Sequence, residues 1–395
     1  LGIRLSNQHQ RNNTMSEKNI LERFDHYLQA DGPAALVIRE QLSPVEGPNA
    51  VFFPATYAPR KKGEDAGYNI DGPNRTEDPS AQNVVLVDSI GSQANRIEPL
   101  FAQGDYAELV PQIVIAAGEG KSVNLLDVGH RAGDAIVRCS ELKEPLQHAF
   151  KAVIKGNAAP LAKIAPTSLV FGVWDSRDTQ AKLPRLLVST VRAYNVRKLT
   201  RSAQYTPAAD YAALEIFSAE ERQKAEGDSS NPLAARGFVH VPSTGTHGGV
   251  IADGGIRRDA TLALSALKLL NAETADDTLK LRRYILGLAL VAFTRLPLGY
   301  YRQGTILVGA TDDDGTPLPR QFSAVSLDGK RTDVTSTITV NVALEYAKAT
   351  AAAFGKGEDK KVTFDKGKAV SDVKGDKAAK PAKGKMAGVT NPPAA

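Results

Sequence analysis

The stretch Leu86-Val-Asp-Ser-Ile-Gly-Ser-Gln-Ala-Asn-Arg96 reads as the end of a strand, a turn at Gly91 and the start of a helix. Residues 84–87 are continuous and mostly β-branched, which suits a buried strand. Helical character runs over 92–101, where Pro99 ends or kinks it. The backbone N–H groups of a helix start lack partners and attract anions. Ser92, Gln93 and Asn95 add hydrogen-bonding groups, and Arg96 adds a planar fork suited to phosphate. In the plainer reading Ser92 caps the helix and Arg96 lies on its solvated face.

Around this unit, strands and helices follow in irregular order. Strands are expected at 122–128, 168–174, 186–194, 238–241, 304–310, 322–327 and 334–340. Helices are expected at 19–28, 130–139, 145–154, 259–270, 274–294 and 341–354. A Pro-, Gly-, Asp- and Asn-rich run at 43–82 reads as a long loop. The run 198–236 is polar and irregular, with a helix within 208–225. This mixture points to an α+β fold rather than a doubly wound sheet.

The chain carries 49 basic and 44 acidic residues, a net charge of +5. Between residues 355 and 385 there are ten lysines against five acids, so this segment alone accounts for the excess. The basic pI describes a tail and is not by itself evidence for a nucleic-acid groove. Residues 355–395 are expected to be a disordered Lys-rich tail. Leu1 to Thr14 read as a disordered upstream segment before a natural start at Met15. The single Cys139 excludes an intrachain disulfide and a multi-cysteine zinc site, and a reducing cytoplasmic setting is expected. The most apolar stretch, 284–293, is too short to span a bilayer.

Asp127-Val-Gly-His-Arg-Ala-Gly-Asp134 repeats the strand–glycine–helix logic, with His130 and Arg131 opening the helix. His130 and Asp134 stand at i, i+4, a spacing open to an acid–base pair, two metal ligands or plain capping. Arg192-Ala-Tyr-Asn-Val-Arg-Lys-Leu-Thr-Arg-Ser202 is the densest basic patch outside the tail. Arg192, Arg197, Lys198 and Arg201 interleave there with Tyr194 and Ser202. Such a segment tracks a phosphate backbone while an aromatic stacks on a base, or is simply a strand edge protected by charge. The glycine-rich stretch around Thr246 and His247, followed by Arg257 and Arg258, lacks the lysine of a nucleotide-binding loop. It reads as a flexible hairpin whose backbone approaches a ligand closely, or as plain loop. No nucleophile elbow, thiol–histidine motif or zinc-hydrolase helix is present.

Several segments, in order, resemble one family. They are Leu86-Val-Asp-Ser-Ile-Gly-Ser-Gln-Ala-Asn-Arg-Ile-Glu98, Asp127-Val-Gly-His-Arg-Ala-Gly-Asp134, Ser168-Leu-Val-Phe-Gly-Val-Trp-Asp-Ser176, Asn195-Val-Arg-Lys-Leu-Thr-Arg-Ser-Ala-Gln204, Gly237-Phe-Val-His-Val-Pro242 and Leu281-Arg-Arg-Tyr-Ile-Leu-Gly-Leu288. The family is the backbone RAMP subunit of type I-G (formerly I-U) CRISPR effector complexes, of the Cascade backbone kind. The resemblance implies one domain over 15–354, a modified RRM/ferredoxin-like palm with insertions near 43–82 and 198–258 that supply a thumb hairpin and fingers. It implies a non-catalytic protein that stacks with copies of itself along a CRISPR guide RNA and beside other effector subunits. The guide's bases stay free to pair with target DNA.

By the same resemblance Ser92, Gln93, Asn95, Arg96, His130 and Arg131 become candidate RNA contacts. So do Arg192, Arg197, Lys198, Arg201, Ser202, Thr246, His247, Arg257 and Arg258. No catalytic group, metal, cofactor or membrane partner is expected. The rival within the same superfamily is a metal-dependent RNA endonuclease using Asp127, Asp134 or Asp253. A third reading is a small-molecule enzyme built on the glycine-rich stretch with His240 or His247.

Overall fold

The computed structural model describes residues 20–58, 67–73, 75, 77–295 and 299–378. Its organising element is a strand absent from the expectations above, β1 (Ala35–Pro44). Leu36, Ile38, Glu40 and Leu42 point inward, while Arg39 and Gln41 are exposed on the other face, the alternation a half-buried strand requires. The other principal elements, in chain order, are β2 (Val84–Asp88), α1 (Ile90–Ile97), β3 (Ile113–Gly118), α2 (Lys143–Ile154), β4 (Leu187–Tyr194), β5 (Val196–Tyr205), β6 (Val241–Ala252), β7 (Ile256–Ala263), α3 (Ala275–Thr294), β8 (Thr305–Gly309), β9 (Gln321–Val325), α4 (Val340–Phe354) and β10 (Lys360–Thr363).

β1 pairs antiparallel with β7 on one side and with β8 and β9 on the other. β7 pairs with β4, and β4 with β2, again antiparallel. Counting β1, β4, β7 and β8/β9 as first to fourth, the spatial order is fourth, first, third, second. Helical segments follow the first strand and α3 follows the third, which is the ferredoxin-like arrangement. The class is α+β, with a curled antiparallel sheet.

α3 is the main core helix. Thr274 caps it, its side chain accepting from the Asp277 N–H, and from Tyr284 to Thr294 every residue is buried, the mark of an interior helix. It packs closely on α4 at Gly287, where an added Cβ would stand 2.7 Å from Thr350 Oγ1 and 2.9 Å from Ala347 Cα. The sheet's inner face carries two separate apolar clusters. One holds Leu36, Ile38, Ala260 and Leu262 with α3 and α4; the other holds Leu42, Val85, Val87, Val191 and Ile256 with Phe52 and Tyr301. Between them the same face presents Glu40 and Arg258, which are register partners across β1 and β7.

Several expectations change. The strand expected at 168–174 is reduced to Val173–Trp174: Thr167–Phe171 is a helix with all five residues buried, and periodicity cannot separate a buried helix from a buried strand. Pro166 opens it, and Gly172 at φ 79° ends it. Residues 256–263 form β7, paired on both sides, so helix is confined to Leu264–Leu267. The expected strand at 334–340 is replaced by a short strand, Arg331–Asp333, before α4. Helix in 130–139 is reduced to two short turns, Arg131–Gly133 and Ala135–Arg138.

The tail expected to be disordered from residue 355 is ordered at its start. β10 pairs parallel with β3, Val362 is buried, and the helix Lys366–Ala378 places Asp372 2.6 Å from Arg138. A lysine-rich composition hides one inward residue on a strand whose backbone is completed by a partner far away in sequence. Residues 1–19, including the expected upstream segment, and 379–395 lie outside the described residues.

Candidate nucleic-acid interface

β4 leaves the palm at Asn195, whose φ is 52°, a left-handed conformation that asparagine tolerates. Asn83 clamps this corner: its Oδ1 accepts from the Val196 N–H at 2.7 Å and its Nδ2 donates to the Val196 C=O at 3.0 Å. Beyond it β5 and β6 form a two-stranded antiparallel ribbon. Residues 198–205, expected to be irregular, are therefore strand. Phe52 pins the ribbon's root by exchanging both backbone hydrogen bonds with Val250. Gly249, at φ 93°, passes so near that an added Cβ would meet Val51 Cγ1 at 2.5 Å and Phe52 O at 2.9 Å. Gly248 and Gly254 are likewise crowded by the backbone of Thr200 and Tyr194, so close backbone approach accounts for these three glycines.

The ribbon carries most of the basic patch. Arg201 and Ser202 are exposed on β5, and Thr246 on β6 donates its hydroxyl to the Arg201 carbonyl at 2.8 Å. Lys198 also lies on β5, opposite Val250. Arg197 is held by Asp253 through Nε and Nη2, each 3.0 Å from a carboxylate oxygen, and this hydrogen bond keeps the Asp253 carboxyl below its usual range. His247 stacks obliquely on Tyr68, ring centres 4.8 Å apart.

The palm's outer face carries a second group of cations. Arg192 and Arg257 are register partners on β4 and β7, and Gln41 on β1 completes the row. Arg257 donates to the Tyr194 hydroxyl at 2.7 Å, lies over its ring at 4.8 Å, and meets Asp259 at 2.8 Å. Arg39 reaches the other oxygen of Asp259 at 3.4 Å. Arg192, Arg257 and Tyr194 lie on the palm's outer face, and β4 runs on through Asn195 into the ribbon strand that carries Arg197, Lys198 and Arg201. Arg39 and Gln41 are additional to the expected contacts. Residues 35–42 read Ala-Leu-Val-Ile-Arg-Glu-Gln-Leu, without alternation, and only the register of β1 with β7 brings these two side chains to this face.

The α1 candidates have different roles. Ser89, not Ser92, is the N-cap, accepting from the Ser92 N–H at 3.3 Å. Gln93 is buried and bonded to Asp88 at 2.6 Å and Ser189 at 2.9 Å, so it fixes helix to sheet. Asn95 and Arg96 are exposed. Arg96 meets Asp88 at 3.3 Å, lies 5.3 Å over the Tyr301 ring and donates to the Tyr301 carbonyl at 2.6 Å. They edge a cleft of about 370 Å³ against Arg258, Arg295, Tyr300 and Tyr301.

Arg131 and Arg258 do not present open guanidinium surfaces, a correction to the expectation for both. Arg131 is 3% exposed, with Nε 2.6 Å from Glu98 Oε2; Arg258 is 2% exposed, with Nε 2.7 Å from Glu40 Oε2. Each guanidinium is turned toward a buried carboxylate and away from solvent. Burial pushes the Glu98 carboxyl up to about 7. His130 is exposed and stands 3.7 Å from Asp134, whose carboxylate accepts from the Ile136 N–H as a helix cap. Among the described residues no group of three or more His, Cys, Asp or Glu is placed to hold a metal ion, and no helix is long and apolar enough to cross a membrane.

Residues 36–198, somewhat under half of the chain, match the family model of CRISPR-associated protein GSU0053, a family of the RAMP type. The match spans β1, β2, α1, β4 and the start of the ribbon. No curated protein matches the chain.

Proposed function

We propose that this CRISPR-associated, RAMP-like chain is a non-catalytic backbone subunit that coats guide RNA along the outer face of its palm and its ribbon. The observation carrying the reading is that cations 65 residues apart along the chain, Arg192 and Arg257, are register partners on the palm, next to a ribbon bearing Arg197, Lys198 and Arg201. Cations, hydroxyls and one accessible aromatic grip a phosphate backbone and stack on bases without reading sequence. A guide of any sequence needs a grip of this kind.

The mechanism is positional. The Asn83 clamp and the Phe52–Val250 pairing fix the ribbon relative to the palm, so charges on both act on one strand of RNA. The Arg257–Tyr194–Asp259 cluster holds its aromatic ring and its guanidinium in one orientation, which lowers the entropy lost on binding. Stacking of further copies along the same RNA is open-ended association, and the bases left outward pair with target DNA. The type I-G assignment and the partner subunits belong to this proposal.

The test is size-exclusion chromatography with light scattering on the purified full chain, reading the absorbance ratio at 260 and 280 nm with and without ribonuclease. Large RNA-rich particles that ribonuclease disperses are expected. A small RNA-free species that also fails to bind added single-stranded RNA contradicts the proposal.

A further inference from the structure

The chain's only tryptophan lies outside the core. Trp174 is 55% exposed, although an indole is among the side chains that gain most from burial. A short antiparallel hairpin, Val173–Trp174 against Lys182–Leu183, holds it outward. Val173 is buried and Leu183 packs on the main core, so the alternation of the strand turns the indole to solvent. The loop between is organised from within: Asp175, 4% exposed, accepts from the Thr179 N–H at 2.8 Å and from the Thr179 hydroxyl at 2.6 Å. Gly133 passes against the hairpin, where an added Cβ would stand 2.7 Å from the Trp174 carbonyl oxygen. The ring is therefore carried on a fixed support.

Its surroundings are cationic. Lys182 is the register partner of Trp174 and stands 5.4 Å from the ring centre. Arg185 follows it, and both are exposed. Neither is ion-paired among the described residues. Over 174–185 the exposed charges are Arg177, Asp178, Lys182 and Arg185, a net positive set, while Asp175 is turned inward. Lysine is depleted where proteins dock on one another. An accessible aromatic beside open cations is instead what holds a single strand, the ring under a base and the cations on the backbone.

From this geometry we infer that the Trp174 hairpin is a stacking platform for one unpaired base of a single-stranded nucleic acid, with Lys182 and Arg185 on its phosphates. The base takes the face of the indole that Lys182 does not cover. The platform is a second contact, apart from the ribbon. The Leu186 N–H donates to the Val170 carbonyl at 2.9 Å, which fixes Arg185 just before β4 begins, and the ribbon starts after β4 ends. The length of that strand, roughly 25 Å, separates the two. The inference rests on the RNA reading for the identity of the strand.

As the only tryptophan, Trp174 reports on its own site. The experiment is titration of the full chain with single-stranded oligouridylate, following tryptophan emission, with the anisotropy of a labelled oligouridylate measured in parallel. A saturable loss of emission with the midpoint of the anisotropy curve is expected. Trp174→Ala should weaken binding about tenfold and Trp174→Phe should recover most of it, with thermal unfolding to check that both fold. Lys182→Gln should lower the salt slope by about 0.7. Unchanged emission while RNA binds, or wild-type affinity in folded Trp174→Ala, overturns the inference and leaves the outer-face interface standing. If that variant also forms smaller particles by light scattering, the hairpin is a protein contact instead. An emission loss kept at undiminished affinity in Arg192→Ala with Arg201→Ala sustains the platform and removes the outer-face interface. No RNA binding at all overturns both.

Discussion

Asn83 satisfies both backbone polar groups of Val196, accepting from its N–H at 2.7 Å and donating to its C=O at 3.0 Å. Its own carbonyl accepts from the Asn195 N–H at 2.8 Å. Three hydrogen bonds therefore hold the corner where the palm becomes the ribbon. Asn83→Ala leaves buried groups of Val196 without these partners and is expected to cost about 1–3 kcal/mol. Urea unfolding measures the loss. Hydrogen exchange is expected to quicken across 196–205 and 241–252 more than in α3.

Gly287 faces Thr350 and Ala347 across the α3–α4 contact, with no room for a Cβ. Helix propensity alone favours alanine by about 1 kcal/mol, but overpacking costs about 1–3 kcal/mol. Gly287→Ala is therefore expected to lower the urea midpoint. A rise would show that the helices part easily.

Burial raises the Glu98 carboxyl from 4.5 to about 7, against the opposing pull of Arg131. A folded value above the unfolded one means that this contribution to stability is fully present below about pH 4.5 and is lost as pH rises through 7. Stability followed by urea unfolding is expected to fall between pH 5 and 8 on this account. Glu98→Gln should flatten that fall, whatever it does to stability overall. An unchanged slope would assign the pH dependence to other groups.

The segment after Gly355 completes the sheet at β3 and covers Cys139, which is 4% exposed. The Cys139 carbonyl accepts from the Asp365 N–H at 2.8 Å. Ending the chain at Gly355 is expected to leave a folded protein of lower stability whose Cys139 reacts with a thiol reagent at least tenfold faster than in the full chain, because access and desolvation both limit a buried thiol. Equal rates would mean that this segment does not shield the cysteine.

The strands of 84–88 and 187–194 and the helices α2, α3 and α4 were legible because β-branched runs and 3.6-residue periodicity coincide there with burial. The central strand was not, because three polar residues in a row, Arg39-Glu40-Gln41, hide the alternation of inward and outward positions. Glu40 points inward only because Arg258, 218 residues further on, meets it, and no local pattern contains that fact. The same pairing removes Arg258 from the expected contacts. A buried arginine and an exposed one look alike until the carboxylate partner is located, and Arg131 with Glu98 repeats the case. The patch from Arg192 to Ser202 was legible as cations interleaved with hydrogen-bonding side chains. Arg39 and Gln41 joined that surface only through the register of β1 and β7.

The central claim is that Arg192 on the palm and Arg201 on the ribbon hold one RNA strand together. The most direct test is the salt dependence of single-stranded RNA binding, measured by fluorescence anisotropy for the wild-type chain and for Arg192→Ala with Arg201→Ala. Each lost phosphate contact should lower the slope of log affinity against log salt by about 0.7, so the double variant is predicted to bind more weakly and with a slope shallower by about 1.4. A folded double variant with the wild-type slope would contradict the account and remove this surface from the RNA path.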